Sequence, residues 1–216
     1  MFIYTFVNAG SEKLLKEEVQ TKYPELHFAY SKPGFVTFKS CDESCSAEKL
    51  ELIFARAVGV SLGKCRAIDI EEKIAEYGIK RKIHKYNLKD GTAVGESALT
   101  GDEIFDIIEV SEDEFWLGIR KVNEFQWRRA GALPAVTLPE NAPSRAYLKI
   151  EEGIELTAFS AEENSTVLEI GAAPGGASFA MLERGYSVYG VDTGEMDKIC
   201  IENKNFTHLK MAMQNL

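Results

Sequence analysis

The sequence predicts an α/β protein in two parts, an α+β front and the opening half of a parallel βαβ sheet behind it. Residues 2–68 read as β-α-β-β-α-β, the order of a ferredoxin-like split βαβ unit. Thr166 to Asp192, TVLEIGAAPGGASFAMLERGYSVYGVD, reads as strand, glycine-rich turn, helix, strand and terminal acid, which is the start of a Rossmann-like sheet. A hydrophobic fraction of 45% suits a globular chain and excludes a disordered one.

Taken in order, FIYTFV at 2–7 is an apolar, β-rich opening strand. Ser11 is placed to cap a helix through Tyr23, with Leu14, Leu15 and Val19 on one face, and Pro24 ends it. Leu26–Tyr30 and Phe35–Lys39 are strands joined across Lys32-Pro33-Gly34. Leu50, Ile53, Phe54 and Ala57 recur at helical spacing, which predicts a helix over Ala47–Val58 before a last strand, Val60–Ile68. A helix over Ile70–Tyr77 follows, then the basic stretch Lys80-Arg81-Lys82-Ile83-His84-Lys85. A loop at 92–100 leads into a hairpin, Ile104–Val110 and Phe115–Val122. Pro134, Pro139 and Pro143 mark Asn123–Pro143 as a linker. Ser144 then caps a helix from Arg145 to Phe159. Beyond the glycine unit, Glu195–Asn205 reads as helix and His208–Met211 as a third strand. The domains expected are 1–68, ferredoxin-like; 69–140, a linker region with the hairpin; and 141–216, the N-terminal portion of a Rossmann-like domain.

No apolar run approaches the ~20 residues of a membrane span, and the N-terminus lacks a basic leader with a cleavage pattern. Cys41, Cys45, Cys65 and Cys200 form no disulfide framework, which predicts reduced thiols in a cytoplasm. Cys41 and Cys45 lack a second pair of ligands, so no metal is expected. A net charge of −9 argues against a sequence-independent nucleic-acid binder, though not against a local basic patch. Lys80, Arg81, Lys82 and Lys85 reverse that sign locally. They are the best candidate RNA patch, suited to phosphate contact, although a solvated loop or helix face is the commoner fate of such a charge run. Trp127-Arg128-Arg129 suits stacking on RNA and neutralising it, and equally suits pinning the linker to a domain.

The small-residue turn Gly171-Ala172-Ala173-Pro174-Gly175-Gly176 lets a cofactor approach the backbone, and Asp192 stands where such folds place a ribose-hydroxyl acceptor. The glycines do not spell G-x-G-x-x-G, and Pro174 removes a donor that a pyrophosphate would want. A nucleoside ligand without a diphosphate, such as S-adenosylmethionine, fits better.

LEIGAAPGG resembles the D-L-G-A-x-P-G-G turn of FtsJ-like RNA 2′-O-ribose methyltransferases. Ala142-Pro143-Ser144-Arg145-Ala146-Tyr147-Leu148-Lys149 resembles the S-R-A-x-x-K segment that precedes it. The nearest branch methylates a cytidine ribose in large-subunit ribosomal RNA and carries a ferredoxin-like and THUMP-like region in front. The resemblance implies a methyltransferase domain using S-adenosylmethionine, with RNA as partner. Ser144, Gly171, Ala173, Pro174, Gly175 and Gly176 would then line the cofactor, Asp192 would hold its ribose, and Lys149 would be the first member of a Lys-Asp-Lys-Glu tetrad. The other three members have no counterpart here, because the sequence ends near the third strand of a sheet that normally has about five or six. Ala177 stands where many relatives carry tryptophan. A truncated, inactive methyltransferase is the leading expectation. The alternatives are a non-catalytic RNA-binding protein with a vestigial cofactor unit, and another nucleoside-cofactor enzyme, such as a small-molecule methyltransferase or a dehydrogenase. Oligomeric state has no signature in the sequence.

Overall fold

Ile3 to Val7 are all buried in β1 (Phe2–Val7), so this strand is covered on both faces and lies inside a sheet. A computed structural model describes residues 1–42, 45–124, 126–157, 159–162 and 164–216. The chain divides into two compact units, Met1–Pro134 and Ala135–Leu216.

In the first unit β1 is followed by α1 (Glu12–Lys22), β2 (Leu26–Lys32), β3 (Phe35–Ser40) and β4 (Ala55–Cys65). Next come α2 (Ile70–Tyr77), β5 (Lys82–Asn87), β6 (Ala93–Val94), β7 (Glu103–Ser111) and β8 (Glu114–Lys121). The strands form one sheet in the order β2-β3-β1-β4-β8-β7-β5-β6, so 1–68 and 69–140 share it through the β4–β8 pair. The first four strands take the order of a split βαβ unit.

The helix expected over Ala47–Val58 is absent. Ala47–Lys49 makes one 3-10 turn, and the chain is extended from Ala55. Of the supposed apolar face Leu50 is buried, but Ile53 is 79% exposed. What decides the segment is the sheet: Ala57, Val58 and Val60 pack as strand residues, and Gly59 leaves room for the Tyr4 ring. Of the basic stretch, Lys82 to Lys85 enter the strand β5, parallel to β7, while Lys80 and Arg81 stay in the turn before it. Ser11 makes no cap hydrogen bond. Glu12 instead accepts from the Gly10 and Gly34 N–H groups.

Cross-strand partners Ile3, Val60 and Ile119 place α1 and α2 on one face of the sheet. There Leu15 and Val19 cover Ile3, Val36 and Phe38, while Ile70 and Ile74 cover Phe105, Ile107 and Leu117. The opposite face carries Tyr4, Phe6, Phe35 and Trp116, covered by Trp127 and Ala132 from the segment after β8.

That second face also buries charge. The Arg120 guanidinium, only 2% exposed, donates to Asp106 Oδ2 at 2.8 Å and to the Trp127 and Arg129 carbonyls at 3.0 and 3.2 Å. The Tyr4 hydroxyl donates to the same Asp106 oxygen at 2.5 Å. His84 Nε2 lies 2.7 Å from the Glu96 carbonyl and Nδ1 lies 3.3 Å from Arg120 Nη2. This is the pattern of a neutral imidazole donating through Nε2 and accepting through Nδ1. Cβ atoms at Gly59 and Gly118 would lie 2.5 and 2.2 Å from the Tyr4 ring, so both strands must carry glycine beside it.

The second unit contains α3 (Ala146–Thr157), β9 (Thr166–Ile170), α4 (Gly176–Glu183), β10 (Ser187–Val191), α5 (Lys198–Ile201) and β11 (Phe206–Leu209). The three strands run parallel in the order β11-β10-β9. Ala158, at the expected end of α3, lies outside the described residues. The helix expected over Glu195–Asn205 shrinks to four residues, capped by Asp197, whose carboxylate accepts the Ile199 N–H. Phe179, Leu182, Val188, Cys200 and Phe206 form the core, each large apolar side chain contributing about 1.5–3 kcal/mol by burial. Leu168 and Ile170, on the other side of β9, are half exposed.

Candidate functional site

The glycine turn between β9 and α4 is pinned almost atom by atom to the end of β10. Gly171 and Ala172 N–H groups both donate to the Val191 carbonyl, at 2.9 and 3.3 Å. The Ala173 N–H donates to Asp192 Oδ2 at 3.0 Å, and Gly194 N–H to Oδ1 at 2.7 Å. These two donors, Gly194 first, hold the Asp192 carboxyl below the usual range. The Pro174 carbonyl accepts from the Asp197 N–H at 2.9 Å. Gly171 and Gly175 have φ of 81° and 115°, where only glycine is unstrained, and Ala173–Pro174 is cis. A Cβ at Gly175 would also sit 2.7 Å from Cys200 Sγ.

The preceding segment is brought onto this turn. A Cβ at Gly176 would lie 2.2 Å from Ser144 Oγ and 2.8 Å from the Ser144 carbonyl oxygen, so Ser144 abuts the first residue of α4. Ser144 Oγ accepts the Ala146 N–H at 3.2 Å, closing the start of α3. Tyr147 donates its hydroxyl to Glu183 at 2.9 Å and stacks against Phe179, while Arg184 forks onto Glu151 at 2.8 and 2.6 Å. Tyr147 and Glu151 are i and i+4, so they define the side of α3 that meets α4. Lys149 is exposed, and its place in sequence turns it away from that side.

Ser144, Gly171, Ala173, Pro174, Gly175, Gly176 and Asp192 therefore converge. Beyond those expected, Glu169 and Ser178 join them. The fully buried Ser178 hydroxyl on α4 donates to the Glu169 carboxylate on β9. Burial, and to a lesser degree the Asp192 charge, push the Glu169 carboxyl up, against the pull of the Ser178 donors. The available signals for Glu169 are a carboxylate inside the run Val167-Leu168-Glu169-Ile170 and its place at the acid of the D-L-G-A-x-P-G-G pattern.

Of the basic residues in the first unit, Lys80 and Lys85 are exposed. Arg81 is paired with Glu103 at 3.1 Å and Lys82 with Asp102 at 3.0 Å. Trp127 packs on the aromatic cluster of the sheet, its carbonyl taken by Arg120, while Arg128 is half-buried and Arg129 exposed. A concavity of about 540 Å³ lies in this unit near Leu50, Val58 and Gln126, remote in sequence from the turn and without its donors. Among the described residues no group of three or more His, Cys, Asp or Glu is placed to hold a metal, and no helix is long and apolar enough to cross a membrane.

Residues 142–215 match the family of FtsJ-like methyltransferases. The chain is 24% identical to a Tolumonas auensis ribosomal RNA large subunit methyltransferase M, over 94% of this chain and 68% of that protein. Proteins of the same name from Cellvibrio japonicus and Haemophilus influenzae are 32% and 38% identical. Those matches cover 48% and 33% of this chain and 31% and 23% of the relatives' length. Among solved structures, TrmN from Thermus thermophilus is similar at a TM-score of 0.41 and 12% identity, over 97% of this chain and 73% of that one.

Proposed function

We propose that the second unit holds S-adenosylmethionine and that the chain belongs to an enzyme methylating a ribose 2′-hydroxyl of RNA, with large-subunit ribosomal RNA as substrate in the cytoplasm. One observation carries the cofactor reading. The N–H groups of Gly171, Ala172 and Ala173 are all engaged by the end of β10, and Pro174 has none, so the first half of the turn offers a diphosphate no donor ahead of α4. The same turn presents a bare backbone beside a fixed acid, which suits a nucleoside. Each Asp192 oxygen, with one donor bonded, keeps acceptor capacity for ribose hydroxyls.

When bound, the cofactor supplies an activated methyl group for in-line displacement by an oxygen nucleophile. The chain must orient it, and Asp192 with the glycine turn does so. Lys149 would help the weakly acidic hydroxyl lose its proton. The ferredoxin-like 1–68 and THUMP-like 69–140 stretches would present RNA, with Lys80, Lys85, Arg128 and Arg129 of the first unit meeting phosphates. Arg81 and Lys82 would exchange their acidic partners for them. The exposure of Lys149 on the side of α3 turned from α4 favours a second reading, RNA binding without turnover by this chain.

Calorimetric titration with S-adenosylmethionine, and with NAD as control, tests the proposal. Selective binding of the former, weakened by Asp192→Ala, is expected. Binding of NAD in preference would overturn it. Lys149→Ala should leave cofactor affinity unchanged and abolish methyl transfer.

A further inference from the structure

The first unit holds a groove that neither the cofactor turn nor the basic strand uses. Leu50, Ala55 and Val58 floor the concavity of about 540 Å³, and Leu52 and Ile53 stand along it. A second concavity of about 310 Å³ shares Glu48, Asn123 and Glu124 with the first, so the two run together and suit an extended occupant. The stretch carrying Ile53 is fixed from α1. The Glu18 carboxylate accepts the Ile53 and Phe54 N–H groups at 2.8 and 3.1 Å. The Tyr23 hydroxyl accepts the Glu51 N–H at 2.9 Å, and the Lys22 ammonium donates to the Glu51 carbonyl at 3.2 Å. These bonds hold an irregular segment in place with Ile53 79% exposed. An apolar side chain presented on a fixed backbone loses little freedom when a partner covers it.

Gln126, only 6% exposed, lines the same concavity, and its Oε1 has no hydrogen-bond partner among the described residues. A buried acceptor left unpaired costs about 1–3 kcal/mol. The last torsion of the side chain is soft, so a donor seated in the groove can draw that oxygen round to it. The rim is acidic. Glu48, Glu51 and Glu124 are exposed there, while of the two lysines lining the concavity Lys22 is already paired with Glu18 at 2.8 Å, which leaves Lys49. An acidic rim disfavours a phosphate-bearing ligand and favours cations beside an apolar group.

We propose that this groove, between residues 50–55 and Asn123, Glu124 and Gln126, docks a short extended segment of a partner protein in which one large apolar side chain is flanked by lysine or arginine. The apolar side chain lies on Leu50 and Val58 against Ile53. A backbone N–H of the segment donates to Gln126 Oε1, and its cations meet Glu48 and Glu124.

The test titrates the full chain into fluorescein-labelled pentapeptides, Lys-Arg-Leu-Arg-Lys and Lys-Arg-Phe-Arg-Lys, and follows anisotropy. Lys-Arg-Ser-Arg-Lys and Glu-Asp-Leu-Asp-Glu are the controls. The first two should bind about tenfold more tightly than either control. Ile53→Ser, at an exposed position, should weaken that binding about tenfold and leave the unfolding midpoint unchanged. Gln126→Leu should weaken it by a similar factor, because the peptide N–H loses its acceptor, while the free chain loses no stability. Glu48→Lys with Glu124→Lys should weaken it and flatten its salt dependence. Equal binding of the Leu-centred and Ser-centred peptides, binding indifferent to Ile53→Ser, or no binding by the wild-type chain overturns the proposal. Binding of single-stranded oligouridylate that Ile53→Ser weakens would assign the groove to RNA instead. Concentration-dependent dimerisation that Ile53→Ser abolishes would assign it to a second copy of the chain, and either result overturns the proposal as well.

Discussion

Gly176→Ala puts the contact between the two matched motifs to a quantitative test. The added methyl would stand 2.2 Å from Ser144 Oγ, which a side-chain rotation can relieve, and 2.8 Å from the Ser144 carbonyl oxygen, which it cannot. The Tyr147 N–H, at 3.1 Å, closes the remaining way out. The start of α3 must therefore retreat, carrying Ser144 off the turn. Overpacking of this kind costs about 1–3 kcal/mol, and alanine in a helix returns at most ~0.5–1 kcal/mol, which leaves a net loss of about 1–2 kcal/mol. If the contact also sets the turn, cofactor affinity falls about 5- to 30-fold, the factor that such an energy represents. Both tryptophans, Trp116 and Trp127, lie in the first unit, so their fluorescence is blind to the second. Circular dichroism of urea unfolding, with calorimetric titration of S-adenosylmethionine, reads the second unit. Adding Ser144→Ala should restore only part of the loss, since the carbonyl clash survives. Wild-type stability and affinity in Gly176→Ala would show that α3 is not seated on the turn, and the reasoning from the two motifs would fail.

Three further outcomes are expected. Arg120→Met strands Asp106 as a buried uncompensated charge and should cost about 3–5 kcal/mol in tryptophan-monitored unfolding, whereas Asp106→Leu combined with Arg120→Met should cost clearly less. Additive losses would mean that the pair is not coupled. Burial, opposed by Asp106, lowers the His84 pKa in the folded chain, so the unfolded chain takes up a proton that the folded one resists. The stability His84 confers is present above about pH 6.5 and is lost as pH falls from there through the folded pKa, a slope that His84→Gln should flatten in unfolding midpoints measured across that range. Burial pushes the Cys200 thiol up to about 11, with Asp197 and Glu169 adding to it, while Cys41 is exposed. Alkylation at pH 8 followed by mass mapping should find Cys41 modified and Cys200 untouched; early labelling of Cys200 would show that α5 does not seal the turn.

The backbone of the glycine-turn unit is readable from the sequence because its constraints are local. Small residues at Gly171 to Gly176, β-rich runs on either side and an acid at the end of the second strand leave one arrangement of the backbone. Glu169 carries a signal in the sequence too, since it stands at the acid of the D-L-G-A-x-P-G-G pattern, but its hydrogen bond to Ser178 does not. Its partner, Ser178, lies a turn of helix away. The front of the chain was harder, because tertiary pairing overrides local period there. Leu50, Ile53, Phe54 and Ala57 keep helical spacing, yet the β1 and β8 partners of Val58 and Val60 claim the segment for the sheet. Lys80 to Lys85 looked like surface because charges dominate it, whereas His84 and Tyr86 face a buried side of β5 and the cations sit at its margin.

The Arg120 cluster reaches across almost the whole first unit, from Tyr4 to the carbonyl of Arg129. Its members are 102 residues apart between Tyr4 and Asp106, and Arg120 closes on backbone that emerges after it. During synthesis the opening strand must therefore wait for nearly the entire unit to leave the ribosome before its buried hydroxyl finds a partner. Contacts this distant in sequence carry a closure cost in chain entropy that local contacts do not. The consequence is that the cluster can be fully paired only once the chain through Arg129 is present, so the segment after β8 completes the polar interior of the first unit.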